Sequence, residues 1–237
     1  MKDIWMKRVY FSRFAVVGAL VLAIAIAGCV SAPQVSSAQG AAVKWTLNGL
    51  QSIGGVTPTV LGSPQATLDN SGKALSFNGV NDGLILPVVP IAGMKAFTIE
   101  VLFRPESGGP TEQRFLHTED EAGNRLTMET RQTANGQWAF DTFLLSGTSR
   151  LSLYDAAKLH PADRWYWVAL RYDGVTMSDF IDGVKEGEGP VTFPAMKEKG
   201  QISLGVRLSQ VSWFKGLIRD VRFTPAALPE NELQMPR

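Results

Sequence analysis

Apolar and polar residues alternate along most of the chain after residue 44. The segments 97–104 and 125–131 show the alternation most clearly. Successive side chains of a β-strand point to opposite faces, so both segments are predicted strands with one face in a core. The core-facing residues predicted for the first segment are Phe97, Ile99, Val101 and Phe103.

Asp-Gly and Asn-Gly pairs divide the strands into hairpins, because both residues of such pairs tolerate the positive φ of a tight turn. The predicted hairpins join 165–172, 175–181 and 184–188 through Asp173-Gly174 and Asp182-Gly183, and 125–131 and 137–145 through Asn135-Gly136. About a dozen short strands, with no sustained helical period after residue 30, predict an all-β fold, an antiparallel sandwich of two sheets.

Two irregular features are predicted near the C-terminus. The alternation changes phase between Ile218 and Val221, which predicts a β-bulge or bend near Arg219-Asp220. A short helical turn is expected over 229–233.

The N-terminus carries a different pattern. Basic residues precede an apolar run over 14–27, which is shorter than the roughly 20 residues of a membrane-spanning helix. The run ends in Ile26-Ala27-Gly28-Cys29, which resembles the lipobox of bacterial lipoproteins. We therefore expect a signal peptide over 1–28 and lipidation at Cys29. The alternative is an uncleaved anchor with an incidental cysteine.

The segment after Cys29 is small, polar and uncharged, so 29–42 is predicted to be a flexible tether between the lipid and a domain over 43–237. The expected partner of the acylated cysteine is the lipid bilayer of the cell envelope. In lipoproteins an Asp after the cysteine often marks retention in the inner membrane, whereas this chain has Val30, which favours the outer membrane where the host has one.

Composition and charge narrow the function classes. The 237 residues are 45% hydrophobic and 19% charged, which is enough apolar material for a core. The net charge is +1, and the segment before Cys29 holds four basic residues and one acid, so the mature chain carries −2. This balance gives no reason to expect a nucleic-acid partner. Cys29 is the only cysteine, so its acylation excludes disulfides and thiol catalysis.

Several motifs follow one another in the order of a known family. They are Ala74-Leu75-Ser76-Phe77-Asn78-Gly79-Val80-Asn81-Asp82-Gly83, Phe97-Thr98-Ile99-Glu100-Val101, Trp165-Tyr166-Trp167-Val168-Ala169, Phe180-Ile181-Asp182-Gly183 and Phe214-Lys215-Gly216-Leu217-Ile218. Together they resemble LamG-like, concanavalin A-like domains over about 74–233. The resemblance implies a jelly-roll sandwich with one concave sheet. Such domains bind sugars or proteins, accompany catalytic domains, or are catalytic themselves.

A set of charged residues shares the polar faces of the predicted strands. If these strands are neighbours in the concave sheet, the charges converge there, either as a structural salt-bridge network, as a ligand platform or as a catalytic site. The candidate ligand-binding residues are Glu100, Arg114, Glu129, Arg131 and Asp141. Trp165 and Trp167 share a face and are further candidates for stacking on a sugar ring, with burial in the core as the alternative.

Metal and cofactor chemistry has little support in the sequence. His117 and His160 are the only histidines and have no close partner, so no zinc site is expected. Asn78, Asn81 and Asp82 lie where related domains sometimes hold a structural Ca²⁺, but turn-forming side chains are the favoured interpretation. We expect no other cofactor.

The sequence thus predicts a surface-anchored lipoprotein whose domain is a non-catalytic binding or scaffold module, with carbohydrate favoured over protein as the ligand. The paired acids of many glycosidases on this fold, in an E-x-D-x-x-E strand, are absent. The alternative function is a polysaccharide hydrolase or lyase that uses Glu100, Glu129 and Asp141. A third is a structural envelope protein without a small ligand.

Overall fold

Two antiparallel β-sheets of eight strands each pack face to face in the computed structural model, which describes residues 40–69 and 72–235. The all-β sandwich predicted from the sequence is therefore confirmed. The predicted signal peptide, Cys29 and most of the predicted tether lie outside the described residues. Within the described part of the chain, no helix is long and apolar enough to cross a membrane.

The first sheet contains, in spatial order, β14 (Val184–Pro190), β13 (Thr176–Ile181), β12 (Tyr166–Tyr172), β6 (Phe97–Pro105), β16 (Lys215–Thr224), β4 (Gly72–Asn78) and β3 (Gln65–Asp69), with β1 (Val43–Thr46) paired to β16. The second sheet contains β10 (Ser149–Tyr154), β9 (Gln137–Ser146), β8 (Arg125–Gln132), β7 (Glu112–Asp120), β15 (Gly200–Leu204), β5 (Gly83–Leu86) and β2 (Thr59–Leu61), with β11 (His160–Pro161) paired to β9. A short 3-10 helix, Glu230–Glu232, lies within the helical turn predicted near the C-terminus.

The predicted hairpins are present and follow from local turn chemistry. Asp182 and Gly183 have φ of 50° and 80°, the positive values that a type I′ turn requires, and they join β13 to β14. The Asp182 side chain also accepts the Trp167 backbone N–H at 2.9 Å. The phase change in β16 is a β-bulge, since its register against β6 shifts between Ile218 and Asp220.

The core lies between the sheets and is rich in aromatic rings. Phe97, Ile99, Val101 and Phe103 of β6 all point into it and are at most 1% exposed, as their alternation predicts. The ring of Phe103 stacks on that of Phe115 from the opposite sheet, with centroids 4.5 Å apart. This contact joins the two layers.

The C-terminal segment covers part of the outer face of the first sheet. Thr98 Oγ donates to the Ala226 carbonyl at 2.7 Å and accepts the Leu228 N–H at 2.9 Å. Phe180 and Leu233 belong to a small second apolar cluster on this face. Thr98 and Glu100, two polar residues of β6, are therefore buried as well.

The outer face of the second sheet stays uncovered where β7, β8, β9 and β10 lie side by side. Cross-strand pairing aligns Arg114, Glu129 and Asp141 in one row. His117, Thr127, Phe143 and Ser152 form the next row. Charged side chains that are distant in sequence are thus adjacent on one surface.

Candidate functional site

A cleft of about 350 Å³ opens on the outer face of the second sheet. Its volume lies within the range of small-ligand sites in proteins. Eight of the nine residues that line it are polar or charged, and four of these are arginines. The lining residues are Arg114, Arg125, Thr127, Glu129, Arg131, Asp141, Phe143, Ser152 and Arg207.

One end of the cleft is a closed ion-pair network centred on Arg131. Its Nε donates to Asp141 Oδ2 at 2.8 Å, and its Nη2 lies 2.6 Å from the same oxygen and 3.3 Å from Glu129 Oε2. Its Nη1 also contacts Glu112 at the rim. Ser152 Oγ donates to Asp141 Oδ1 at 2.8 Å, so both oxygens of Asp141 are engaged.

Glu129 lies at the centre of the floor and is 3% exposed. Its Oε1 accepts the Thr127 hydroxyl at 2.8 Å and lies 2.9 Å from Arg114 Nε. Burial raises the pKa of Glu129 above its usual range, while the charges of Arg114 and Arg131 oppose the shift. Its buried Oε2 lies 3.3 Å from Arg131 Nη2 but accepts no hydrogen bond from the described residues.

The other end of the cleft is positively charged. Among residues 40–69 and 72–235, neither Arg125 nor Arg207 has a carboxylate oxygen within the 4.0 Å of an ion pair. Arg125 lies instead over the Phe143 ring, with its Cζ 5.4 Å from the centroid. Burial, followed by the charges of Arg114 and Arg125, lowers the pKa of Arg207.

His117 lies beside Thr127 and is 1% exposed. Burial, together with the charges of Arg125, Arg207 and Arg114, lowers its pKa from 6.5 to about 3, so the ring is neutral at neutral pH. Its Nδ1 accepts the Leu208 N–H at 3.0 Å, which places the proton on Nε2. Within the described residues, this buried Nε2 finds no hydrogen-bond acceptor.

Four of the predicted site residues, Arg114, Glu129, Arg131 and Asp141, come together in the cleft. The expected convergence of Glu100 with them is wrong, because β6 belongs to the first sheet. There Glu100 accepts the Gln234 N–H at 2.7 Å and is 1% exposed under the C-terminal segment. Burial raises the pKa of Glu100. The Glu100 side chain holds the C-terminal segment through its hydrogen bond to Gln234.

Trp165 and Trp167 are also remote from this cleft. Trp167 lies on the outer side of β12, since Tyr166 and Val168 point into the core. Trp165 precedes that strand, and Arg219 lies over its ring with Cζ 5.4 Å from the centroid. Both indoles are half-buried, so their role in ligand binding stays a prediction separate from the cleft.

Hydrogen bonds from backbone N–H groups to side-chain oxygens hold the loop that was considered for calcium. Asn78 Oδ1 accepts the N–H groups of Val80, Asn81 and Asp82 at 2.8, 3.0 and 3.2 Å. Asp82 Oδ1 accepts the Ser63 N–H at 2.7 Å. These oxygens shape the turn. Nowhere in the described residues do three or more His, Cys, Asp or Glu side chains form a metal-binding group.

Sequence reasoning places Arg125 on the polar face of Glu129 and Arg131 but omits it from the candidate ligand-binding residues, and it misses Arg207, Phe143 and Ser152. Arg125 shares the alternation phase of Glu129, and Phe143 that of Asp141, so the phase alone identifies them as neighbours. Arg207 follows β15 in a loop, and its approach depends on tertiary structure that no local pattern contains.

The arrangement offers charged hydrogen-bond donors, one buried acceptor and one aromatic surface to a polar ligand. It does not offer a free pair of acids for hydrolysis, because Arg131 contacts both Glu129 and Asp141. These groups can bind a polar ligand.

Comparison with solved structures gives several relatives of the same fold. Domain 4 of AbnA, a GH43 extracellular arabinanase from Geobacillus stearothermophilus in complex with arabinotriose, has a TM-score of 0.63 and 18% identity, covering 80% of this chain and 94% of that domain. The binding domain of Paraclostridial Mosquitocidal Protein 1 gives 0.58 and 14%, covering 81% and 50%. The binding domain of Botulinum Neurotoxin DC in complex with SialylT gives 0.58 and 12%, covering 80% and 49%.

These low identities establish a shared fold alone. No curated protein sequence matches the chain. The family model of the concanavalin A-like lectin/glucanases superfamily matches residues 78–234, which is more than half of the sequence. The resemblance read from the motifs is thereby confirmed, and the chain belongs to the concanavalin A-like lectin/glucanase superfamily.

Proposed function

We propose that this protein is a non-catalytic carbohydrate-binding module and that its ligand occupies the cleft on the second sheet. The observation that carries the proposal is Glu129 at the floor of the cleft, whose buried Oε2 lies 3.3 Å from Arg131 Nη2 but accepts no hydrogen bond from the described residues. A buried acceptor that lacks a hydrogen bond costs free energy, which the hydroxyl of a bound ligand can recover by donating to it. Sugars supply several such hydroxyls on one rigid ring.

The aromatic wall of the cleft supports the same ligand class. Phe143 is half-buried between Thr127 and Ser152 on the sheet surface. The C–H groups of a pyranose pack on an aromatic ring while its hydroxyls reach polar neighbours. Two of the solved relatives were determined with arabinotriose and with SialylT, which agrees with carbohydrate as the ligand class. A protein ligand is the second candidate.

We further propose that Cys29 is lipidated and anchors the protein in the cell envelope, with the outer membrane favoured. The lipobox-like residues and the uncharged segment behind them support this placement. Cys29→Ala should abolish lipid attachment and leave a longer precursor. Mass spectrometry of the membrane fraction tests this, and a cleaved, lipid-modified Cys29→Ala protein would contradict it.

A glycan array tests the binding proposal. The full-length chain, purified in mild detergent, should bind a defined set of oligosaccharides, and Phe143→Ala should weaken that binding about tenfold. Val184→Ala is the matched control, because Val184 is 68% exposed on the first sheet. Binding that Phe143→Ala leaves unchanged would remove the cleft as the site. Cleavage of a bound glycan would establish the hydrolase or lyase alternative instead.

A further inference from the structure

The two ends of the cleft differ in how their charges are balanced. At one end, Arg131 is held by Asp141, Glu129 and Glu112. At the other end, Arg125 and Arg207 have no carboxylate within ion-pair distance in the described part of the chain. A partly buried guanidinium without a counter-charge is costly, so such a pair suits an anion that arrives with the ligand.

Arg114 lies between the two ends of the cleft and forms ion pairs with acids of the first end. Its Nε lies 2.9 Å from Glu129, its Nη1 donates to Ser212 Oγ at 2.6 Å, and the same Nη1 lies 3.5 Å from Glu112. Its two acidic partners, Glu129 and Glu112, are also partners of Arg131. The acids of the cleft are shared between Arg114 and Arg131.

Burial and the positive charge at this end lower the pKa of two side chains, His117 and Arg207. The neutral ring of His117 and the lowered pKa of Arg207 have a common cause after burial, which is the neighbouring arginine charge. Glu119 is the nearest acid to His117, with its Oε2 3.6 Å from Nε2, but its side chain is 42% exposed. An acid so open to water is screened and only partly offsets the field.

We propose that the cleft selects acidic sugars and that Arg125 and Arg207 bind the carboxylate of a uronic acid unit. The planar guanidinium groups match a carboxylate in shape and charge. Glu129 Oε2 then accepts a hydrogen bond from a ring hydroxyl, while Phe143 packs on the ring. This inference rests on the proposed carbohydrate-binding function and adds the class of sugar to it.

Calorimetry on the full-length chain in mild detergent tests this selectivity. The probes are short oligomers of galacturonate, glucuronate and mannuronate, each paired with its methyl ester, which keeps the hydroxyls and removes the charge. At least one acidic oligomer should bind about ten- to a hundredfold more tightly than its ester, as expected for a charge-assisted contact. This preference should shrink as salt is added.

Two variants assign the preference to the proposed residues. Arg125→Gln and Arg207→Gln should each lower the affinity for the acidic oligomer about tenfold or more and leave the affinity for its ester nearly unchanged. Arg164→Gln is the matched control, because it removes the same charge from a side chain that is 57% exposed and precedes β12. It should leave both affinities unchanged.

The outcomes separate this inference from the proposal beneath it. Equal binding of acid and ester, with both weakened by Phe143→Ala, would overturn the acidic selectivity and keep a carbohydrate site. Binding of neutral oligosaccharides alone would do the same. Absence of binding by any oligosaccharide would overturn both. Binding of a penta-glutamate peptide as tight as that of the sugars would replace the sugar with an acidic peptide and also contradict the inference.

Discussion

Replacement of Arg131 by alanine should destabilise the domain strongly, because it removes the cation between two buried acids. The side chains of Asp141 and Glu129 are 5% and 4% exposed, and that of Arg131 is 24% exposed. In the variant, Asp141 keeps only the Ser152 hydroxyl, whereas Glu129 keeps Arg114 and Thr127.

The size of the effect follows from these remaining partners. Breaking a buried ion pair costs about 3–5 kcal/mol, and the retained contacts of Glu129 place the loss at about 3 kcal/mol. For a domain of this size that corresponds to a fall in Tm of roughly 6–12 °C. Thermal unfolding followed by tryptophan fluorescence measures it. The control is Arg150→Ala, an exposed residue of β10, which should change stability by less than about 0.5 kcal/mol.

The loss of stability in Arg131→Ala should also depend on pH in a defined direction. Burial already raises the pKa of Glu129 from its ordinary value of 4.5, and loss of Arg131 removes a charge that opposes this rise. A carboxyl whose pKa is raised on folding favours the folded state at low pH and loses that contribution as the pH increases. The difference between Arg131→Ala and wild type should therefore narrow as the pH falls toward 4.5. If Arg131→Ala left the Tm unchanged but abolished glycan binding, the structural role of the ion-pair network would be refuted and Arg131 would be a ligand-binding residue.

Three further changes have expected results. Phe103→Ala should lower stability by about 3–5 kcal/mol in urea unfolding, because this ring is 0% exposed, and a loss below about 1 kcal/mol would contradict its place in the core. Asp179→Asn should flatten the pH dependence of stability: burial raises the pKa of Asp179 from 3.8 to about 7, so wild type loses stability as the pH rises through this range. Equal slopes for variant and wild type would count against this. His117→Gln should reduce the loss of stability between pH 6.5 and about 3, since the folded state disfavours the protonated ring, and an unchanged acid transition would disagree.

Local patterns predict the core and the turns of this fold well. The alternation over 97–104 identifies the buried face of β6, and Asp182-Gly183 places the turn between β13 and β14. Both signals depend only on neighbouring residues. The bulge in β16 is predicted for the same reason, because one extra residue reverses the phase of every side chain after it.

The sheet to which a strand belongs is not a local property. The polar face of β6 resembles that of β8, but β6 pairs with β12 and β16 in the other sheet. Glu100 therefore cannot reach the cleft. The sequence also leaves open which side of β12 faces the core, and therefore how Trp165 and Trp167 are placed. Apolar residues occur on both sides, because the C-terminal segment covers part of the outer face of the first sheet.

Arginine footprinting of the full-length chain tests most directly whether the cleft is a carbohydrate site. Phenylglyoxal modifies accessible guanidinium groups, and mass spectrometry reports the extent at each residue. A bound oligosaccharide should lower the modification of Arg125 and Arg207 and leave that of the exposed residues Arg150 and Arg164 unchanged. Unchanged modification of Arg125 and Arg207 at a sugar concentration that saturates binding would place the ligand elsewhere and contradict the assignment of the cleft.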